Sequence, residues 1–155
     1  MAIDYSVLKN EILNDPQQLG YSNFLPQRND VELAGLLNQV RSGDEFKVQK
    51  GRVSRDSFVE DTASVVYELM VALDNGNSRA QFWLNVFDRL VSNSDTINSA
   101  DANLNYILEQ MISDNLLTSN QKDDIVLRQG SRAEVLFDRA ILVGDVSDAL
   151  NEVNQ

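Results

Sequence analysis

The chain has 155 residues, 43 % hydrophobic and 24 % charged, with 24 Asp and Glu against 13 Lys and Arg for a formal charge of −11. These proportions belong to a globular chain rather than a disordered one, and the length predicts a single domain over residues 1–155. Cysteine and histidine are both missing from the sequence, which excludes disulfides, thiolate zinc sites, cysteine nucleophiles and the commonest general base. The acidic balance disfavours direct contact with phosphate backbones and with anionic membranes. It serves solubility, or it faces a basic partner. Neither the opening Met1-Ala2-Ile3-Asp4-Tyr5 nor apolar stretches such as Leu69-Met70-Val71-Ala72-Leu73 has the pattern of a secretory leader or a bilayer span. A soluble, cytosol-compatible protein is the expectation.

The first predicted helix covers residues 4–14, with Tyr5, Leu8 and Ile12 on one face and Asp4 as its cap. Pro16 ends it, and residues 15–21 read as a turn in which Gly20 tolerates a positive φ. A second helix is predicted over 30–41, burying Leu33, Leu36, Leu37 and Val40, capped by Asn29 or Asp30 and ended by Gly43. Residues 46–53 suggest a short extended piece carrying Phe46, Val48 and Val53. Lys47, Lys50, Arg52 and Arg55 make this the one locally basic region.

Ser54 is the predicted cap of a third helix running to Leu73. Its wide apolar face, from Phe58 and Val59 to Met70 and Leu73, fits a central helix or two helices broken near Asp61. Asp74-Asn75-Gly76-Asn77 follows as a turn. Ser78 is expected to cap a fourth helix to about Val91, which carries Phe82, Trp83, Val86, Phe87 and Leu90. The polar run 92–99 reads as a loop. A fifth helix is predicted over 100–114, and a sixth from Thr118 or Ser119 to Gly130. Ser131-Arg132-Ala133-Glu134 has capping-box spacing and predicts a short helix to Asp138. Residues 140–143 look extended, and Asp145 caps a last helix to about Val153. The extended pieces at Val53-Ser54 and 140–143 each feed a helix and are expected to pair as a small ladder. The predicted fold class is therefore mostly α: a compact domain of about six helices with at most a short two-stranded β ladder.

Few residue groups carry chemistry. Asp123 and Asp124 are adjacent, so on a helix they do not share a face and make a poor acid–base couple. The segment 74–78 lacks the ligand alternation and closing Glu of a calcium loop, and reads as a helix end followed by a helix start. Phe82, Trp83 and Phe87 with Tyr67 are core aromatics at helical spacing, although Phe82 and Trp83, being adjacent, point in different directions. One of the two is expected to reach an interface. Lys47, Lys50, Arg52 and Arg55, without interleaved aromatics in an acidic protein, are a weak nucleic-acid signal and fit a salt-bridging edge toward an acidic neighbour at least as well. No nucleophile elbow or phosphate loop is present, and the serines have no histidine base. The expectation is a protein without catalytic, cofactor or metal sites, whose candidate interaction residues are Lys47, Lys50, Arg52, Arg55 and Trp83.

Leu8-Lys9-Asn10-Glu11-Ile12, Asn14-Asp15-Pro16, Leu19-Gly20-Tyr21, Leu33-Ala34-Gly35-Leu36-Leu37-Asn38 and residues 53–58 lead to Ser131-Arg132-Ala133-Glu134-Val135-Leu136-Phe137, then Val143, Asp145-Val146 and Ala149-Leu150. Through them the chain resembles, over nearly its whole length, a family of small uncharacterised proteins of tailed bacteriophages and prophages. It departs from that family at Gln17 and Gln18, where relatives carry leucine and glycine, and at Asp138, where they tend to have glycine. The family brings no established functional residues. The resemblance implies a virion component made in the host bacterial cytoplasm, associated with the tail or tail fibre. It would bind other virion proteins in several copies within a symmetric assembly. The alternatives are a head–tail connector or adaptor and, from another class, a non-virion regulator that imitates DNA with its carboxylates. The arginines scattered among the acids count against the last.

Overall fold

The computed structural model describes residues 2–151, and the predicted end of the last helix near Val153 lies outside them. The chain is mostly helical. Among the described residues there are eight α-helices and two two-stranded sheets, one joining β1 (Lys47–Gln49) to β4 (Leu127–Gln129), the other β2 (Arg52–Ser54) to β3 (Thr96–Asn98). The described chain divides into two compact units. One is built from its two ends, up to Val48 and from Gln129 onward, and the other from Gln49–Arg128. Two clusters of buried apolar residues are present, one in each unit.

In the first unit, α1 (Tyr5–Asn14) begins where the Asp4 carboxylate accepts from the Ser6 and Val7 N–H groups. It ends in a left-handed Asp15, whose own carboxylate accepts from the N–H groups of Leu19, Gly20 and Tyr21 at 2.6, 2.8 and 3.3 Å. That turn needs Gly20 at φ +92° and delivers Tyr21 to the core. The second helix, α2 (Asp30–Asn38), is capped by Asn29 and is three residues shorter than predicted. Tertiary hydrogen bonds outbid the helix there. The Asn38 amide donates to the Ile141 carbonyl at 2.7 Å and accepts from its N–H at 2.8 Å. Val40 bridges to Ser131, and the Arg41 N–H donates to the Gly130 carbonyl. Val40, expected inside, is therefore exposed.

The same contact overturns the extended reading of 140–143. Ile141 is buried with its backbone held by Asn38, while Val143 already opens α8 (Val143–Asn151). The Asp145 carboxylate reaches back to the Leu142 N–H at 2.8 Å, the capping role expected of it. The predicted box precedes α7 (Arg132–Phe137): Ser131 Oγ accepts from the Glu134 N–H, and the Glu134 carboxylate accepts from the Ser131 N–H. Just before it, Gly130 leaves no room for a Cβ, which would lie 2.8 Å from a Val48 methyl. Leu8, Ile12, Tyr21, Leu33, Leu37 and Val146 are among the residues buried at the centre of this unit.

In the second unit, β2 and β3 are antiparallel, with Val53 opposite Ile97. The partner of Val53 thus lies in the expected loop 92–99, not at 140–143. Ser54 caps α3 (Arg55–Asp74), which runs unbroken past Asp61. A turn through Gly76, at φ +90°, leads to α4 (Ser78–Ser92), and its capping side chain belongs to Asn77 rather than to Ser78. Asp101 caps α5 (Ala102–Ser113), and Thr118 forms a capping box with Gln121 at the start of α6 (Ser119–Val126). The sixth helix stops four residues short of Gly130 because residues 127–129 leave it to form β4. Phe58, Val65, Leu69, Trp83, Phe87 and Leu108 are among the residues that fill this core.

Candidate functional site

The basic residues singled out in the sequence have different local partners. Lys47 belongs to the first unit, where its ammonium lies 2.9 Å from Asp44. Lys50, Arg52 and Arg55 belong to the second. Lys50 is a largely buried strut, donating to the Asp61 carboxylate at 2.7 Å and to the Asp124 carbonyl at 2.6 Å. Arg55 sits 3.9 Å from both Asp56 and Asp95, on an exposed edge where such pairs contribute little. Arg52 has no ion-pair partner among the described residues and borders an open cleft of about 590 Å³ with Arg89, Asn98 and Asp101.

Of the adjacent aromatic pair, Trp83 turns inward at 4 % exposure and Phe82 outward at 48 %. Their rings meet edge to face at 4.8 Å. The Trp83 indole N–H donates to an Asp114 carboxylate oxygen at 2.8 Å, and that same oxygen accepts from Arg79 Nε–H at 3.1 Å and lies 3.0 Å from Arg79 Nη2. The Arg79 guanidinium also lies 4.8 Å above the Phe82 ring. Asp114 ends α5 and Arg79 begins α4, so the cluster pins the two helix ends together. The indole hydrogen bond first, and then Arg79, hold the Asp114 carboxyl below its ordinary range.

A second polar cluster, in the first unit, escaped the sequence reading. The buried Glu11 carboxylate is gripped on both oxygens by Arg132, at 2.9 and 2.9 Å, and accepts from the Tyr21 hydroxyl at 3.4 Å. Burial and the Glu11 charge push the Tyr21 hydroxyl well above its usual value. The hydrogen bonding of the Arg132 guanidinium to the Glu11 carboxylate raises the Arg132 pKa. The available signal was position: Glu11 follows Leu8 by three residues and precedes Ile12, so it lies on the buried stripe, where a carboxylate needs a partner. With both oxygens taken by one guanidinium, the group acts as a strut between α1 and α7.

A largely apolar groove of about 480 Å³ lies between α3 and α4. Val59, Val66, Tyr67 and Met70 of α3 face Leu84 and Phe87 of α4 across it. Val59, Tyr67 and Met70 are 45, 67 and 55 % exposed. These are the outer residues of the wide apolar face read in the sequence. Phe58, Thr62, Val65 and Leu69 take the inner half of α3 into the core. The Thr62 hydroxyl donates to the Phe58 carbonyl of its own helix at 2.8 Å, so its polarity is satisfied at the groove floor.

Among the described residues, no group of three or more acidic side chains is placed to hold a metal ion, and no helix is long and apolar enough to cross a membrane. No protein-family model, curated protein or solved structure matches the chain.

Proposed function

We propose that this protein is a structural component of a tailed-phage virion, associated with the tail or tail fibre. It works by binding other virion proteins and carries out no reaction of its own. The observation that carries the reading is the groove between α3 and α4, where Val59, Tyr67 and Met70 stay exposed beside a complete core. Exposed contiguous apolar surface on a small folded chain marks an interaction site. Phage context comes from the resemblance in residues 8–58 and 131–150.

In a symmetric assembly each small contact is repeated, so weak individual contacts suffice. A head–tail adaptor would use the same groove, and copy number separates the two positions. The charge of −11 also favours a DNA-imitating regulator, and one experiment decides between the classes. Mass spectrometry of purified particles should find the chain in a fixed ratio to the tail proteins. Its absence from particles, with the chain present in infected-cell lysate, would overturn the virion reading.

A further inference from the structure

The groove between α3 and α4 combines an apolar floor with an acidic rim, and together they select an occupant. On α3 the residues Asp56, Glu60, Tyr67, Met70 and Asp74 advance by helical spacing along one exposed ridge beside the groove. Asp88 lines the wall contributed by α4, and no Lys or Arg lines the groove. Glu60, Asp74 and Asp88 form no ion pair among the described residues. Their charges are therefore uncompensated by the chain itself.

We propose that this groove receives a basic amphipathic helix from a different protein. Its apolar stripe would lie on Val59, Val66 and Met70, with its Lys or Arg side chains against Asp56, Glu60, Asp74 and Asp88. The inference rests on the protein-interaction reading above and names the class of partner. Backbone chemistry selects a helix. An extended segment would press unpaired N–H and C=O groups against Val59, Met70 and Phe87, where nothing can bond them, while a helix satisfies its own backbone. Geometry agrees, because two consecutive helices joined by a short turn leave a straight trough, which a third helix fills with anchors spaced three and four residues apart. The unbranched Met70 side chain adapts to such anchors. Charge disfavours a second copy of this chain, which carries a net charge of −11 and would bring further carboxylates to the acidic rim.

The test uses the full chain and a model peptide of about 14 residues, roughly four helical turns, built from Leu and Lys with the leucines at helical spacing. Two controls are a scrambled peptide of equal composition and a patterned analogue with Glu in place of Lys. The patterned cationic peptide should bind about tenfold or more tighter than the scrambled one, with the Val59, Val66, Met70 and Leu84 methyl resonances shifting. Val59→Ser with Met70→Ser should weaken binding about tenfold, as should Glu60→Lys with Asp88→Lys, at unchanged melting temperature. All four residues are exposed, so these variants keep the core. Equal binding of the scrambled peptide would mean that net charge acts alone and would overturn the proposal. Tighter binding of the Glu analogue would do the same, as would methyl shifts confined to another face. Methyl shifts produced by raising the protein concentration without peptide would replace the proposal with self-association. The two readings fail separately: a chain found in particles that ignores the peptide sinks only this inference, and a chain that binds it but is missing from particles sinks only the virion assignment.

Discussion

Glu11 and Arg132 show how much a single pair of residues decides. The carboxylate is buried, and its charge is tolerable only because a guanidinium 121 positions away presents two donors in matching geometry. Removing one partner is therefore worse than removing both. Arg132→Met should destabilise by about 3 kcal/mol or more, since it strands a buried charge. Adding Glu11→Leu to that variant should restore most of the loss, and urea midpoints of the two chains measure the difference. If the double variant proves no more stable than Arg132→Met alone, the ion pair is not what the single substitution disturbs. One residue earlier, the Ser131 hydroxyl answers the Glu134 N–H at 3.2 Å. Ser131→Ala should cost about 1 kcal/mol through that lost cap, and an unchanged melting curve would mean that the cap contributes nothing in the folded chain.

At the scale of elements, what fixed most boundaries was legible and what fixed the others was not. The starts of α1, α3 and α7 are set by side chains within three residues of the cap, Asp4, Ser54 and Ser131, and a local signal can be read locally. The early ends of α2 and α6 are set by distant partners, Ile141 for Asn38 and β1 for residues 127–129, and no spacing rule carries that information. Three-residue strands are too short to show alternation, so Ile97 in a polar run looked like loop. The groove was half legible: the sequence showed that α3 is apolar over a wide arc, but not which part of the arc α4 would cover. Of the two aromatics, the buried indole is the one that found a carboxylate, and that contact gives a pH prediction. Asp114 has a lowered pKa, so its contribution is fully present above the unfolded carboxyl value near 3.8 and is lost as pH falls through the lower folded value. Asp114→Asn should therefore be less stable than the parent at neutral pH, with the two chains converging below about pH 4. Parallel stability curves over that range would show that the indole and Arg79 bind the carboxyl no better than water does.

At the scale of the whole molecule, length predicts one domain, but length counts residues without knowing which segments share a buried cluster. The first unit takes its buried residues from both ends of the described chain, so no contiguous stretch of sequence encodes it. The second is contiguous, and its ends are held together from within. The Lys50 N–H donates to the Val126 carbonyl at 2.9 Å, while the Lys50 ammonium binds Asp61 and the Asp124 carbonyl. A segment whose ends meet and whose core is its own has the properties of an independently folding piece. Residues 49–128, made alone, should therefore fold, keeping β2 paired with β3 and α3 packed on α4. The probe is already present, because the chain's only tryptophan, Trp83, lies in this core with its indole bonded to Asp114. The fragment should match the emission maximum of the full chain and lose it in one cooperative urea transition. Emission at the wavelength of free tryptophan in buffer, with no transition, would show that this core does not stand without the remainder of the chain. The midpoint also places the Asp114 contact on a scale: in the fragment, Asp114→Asn should lower it by the same increment as in the full chain, because Trp83 and Arg79, which bind that carboxylate, both lie within residues 49–128.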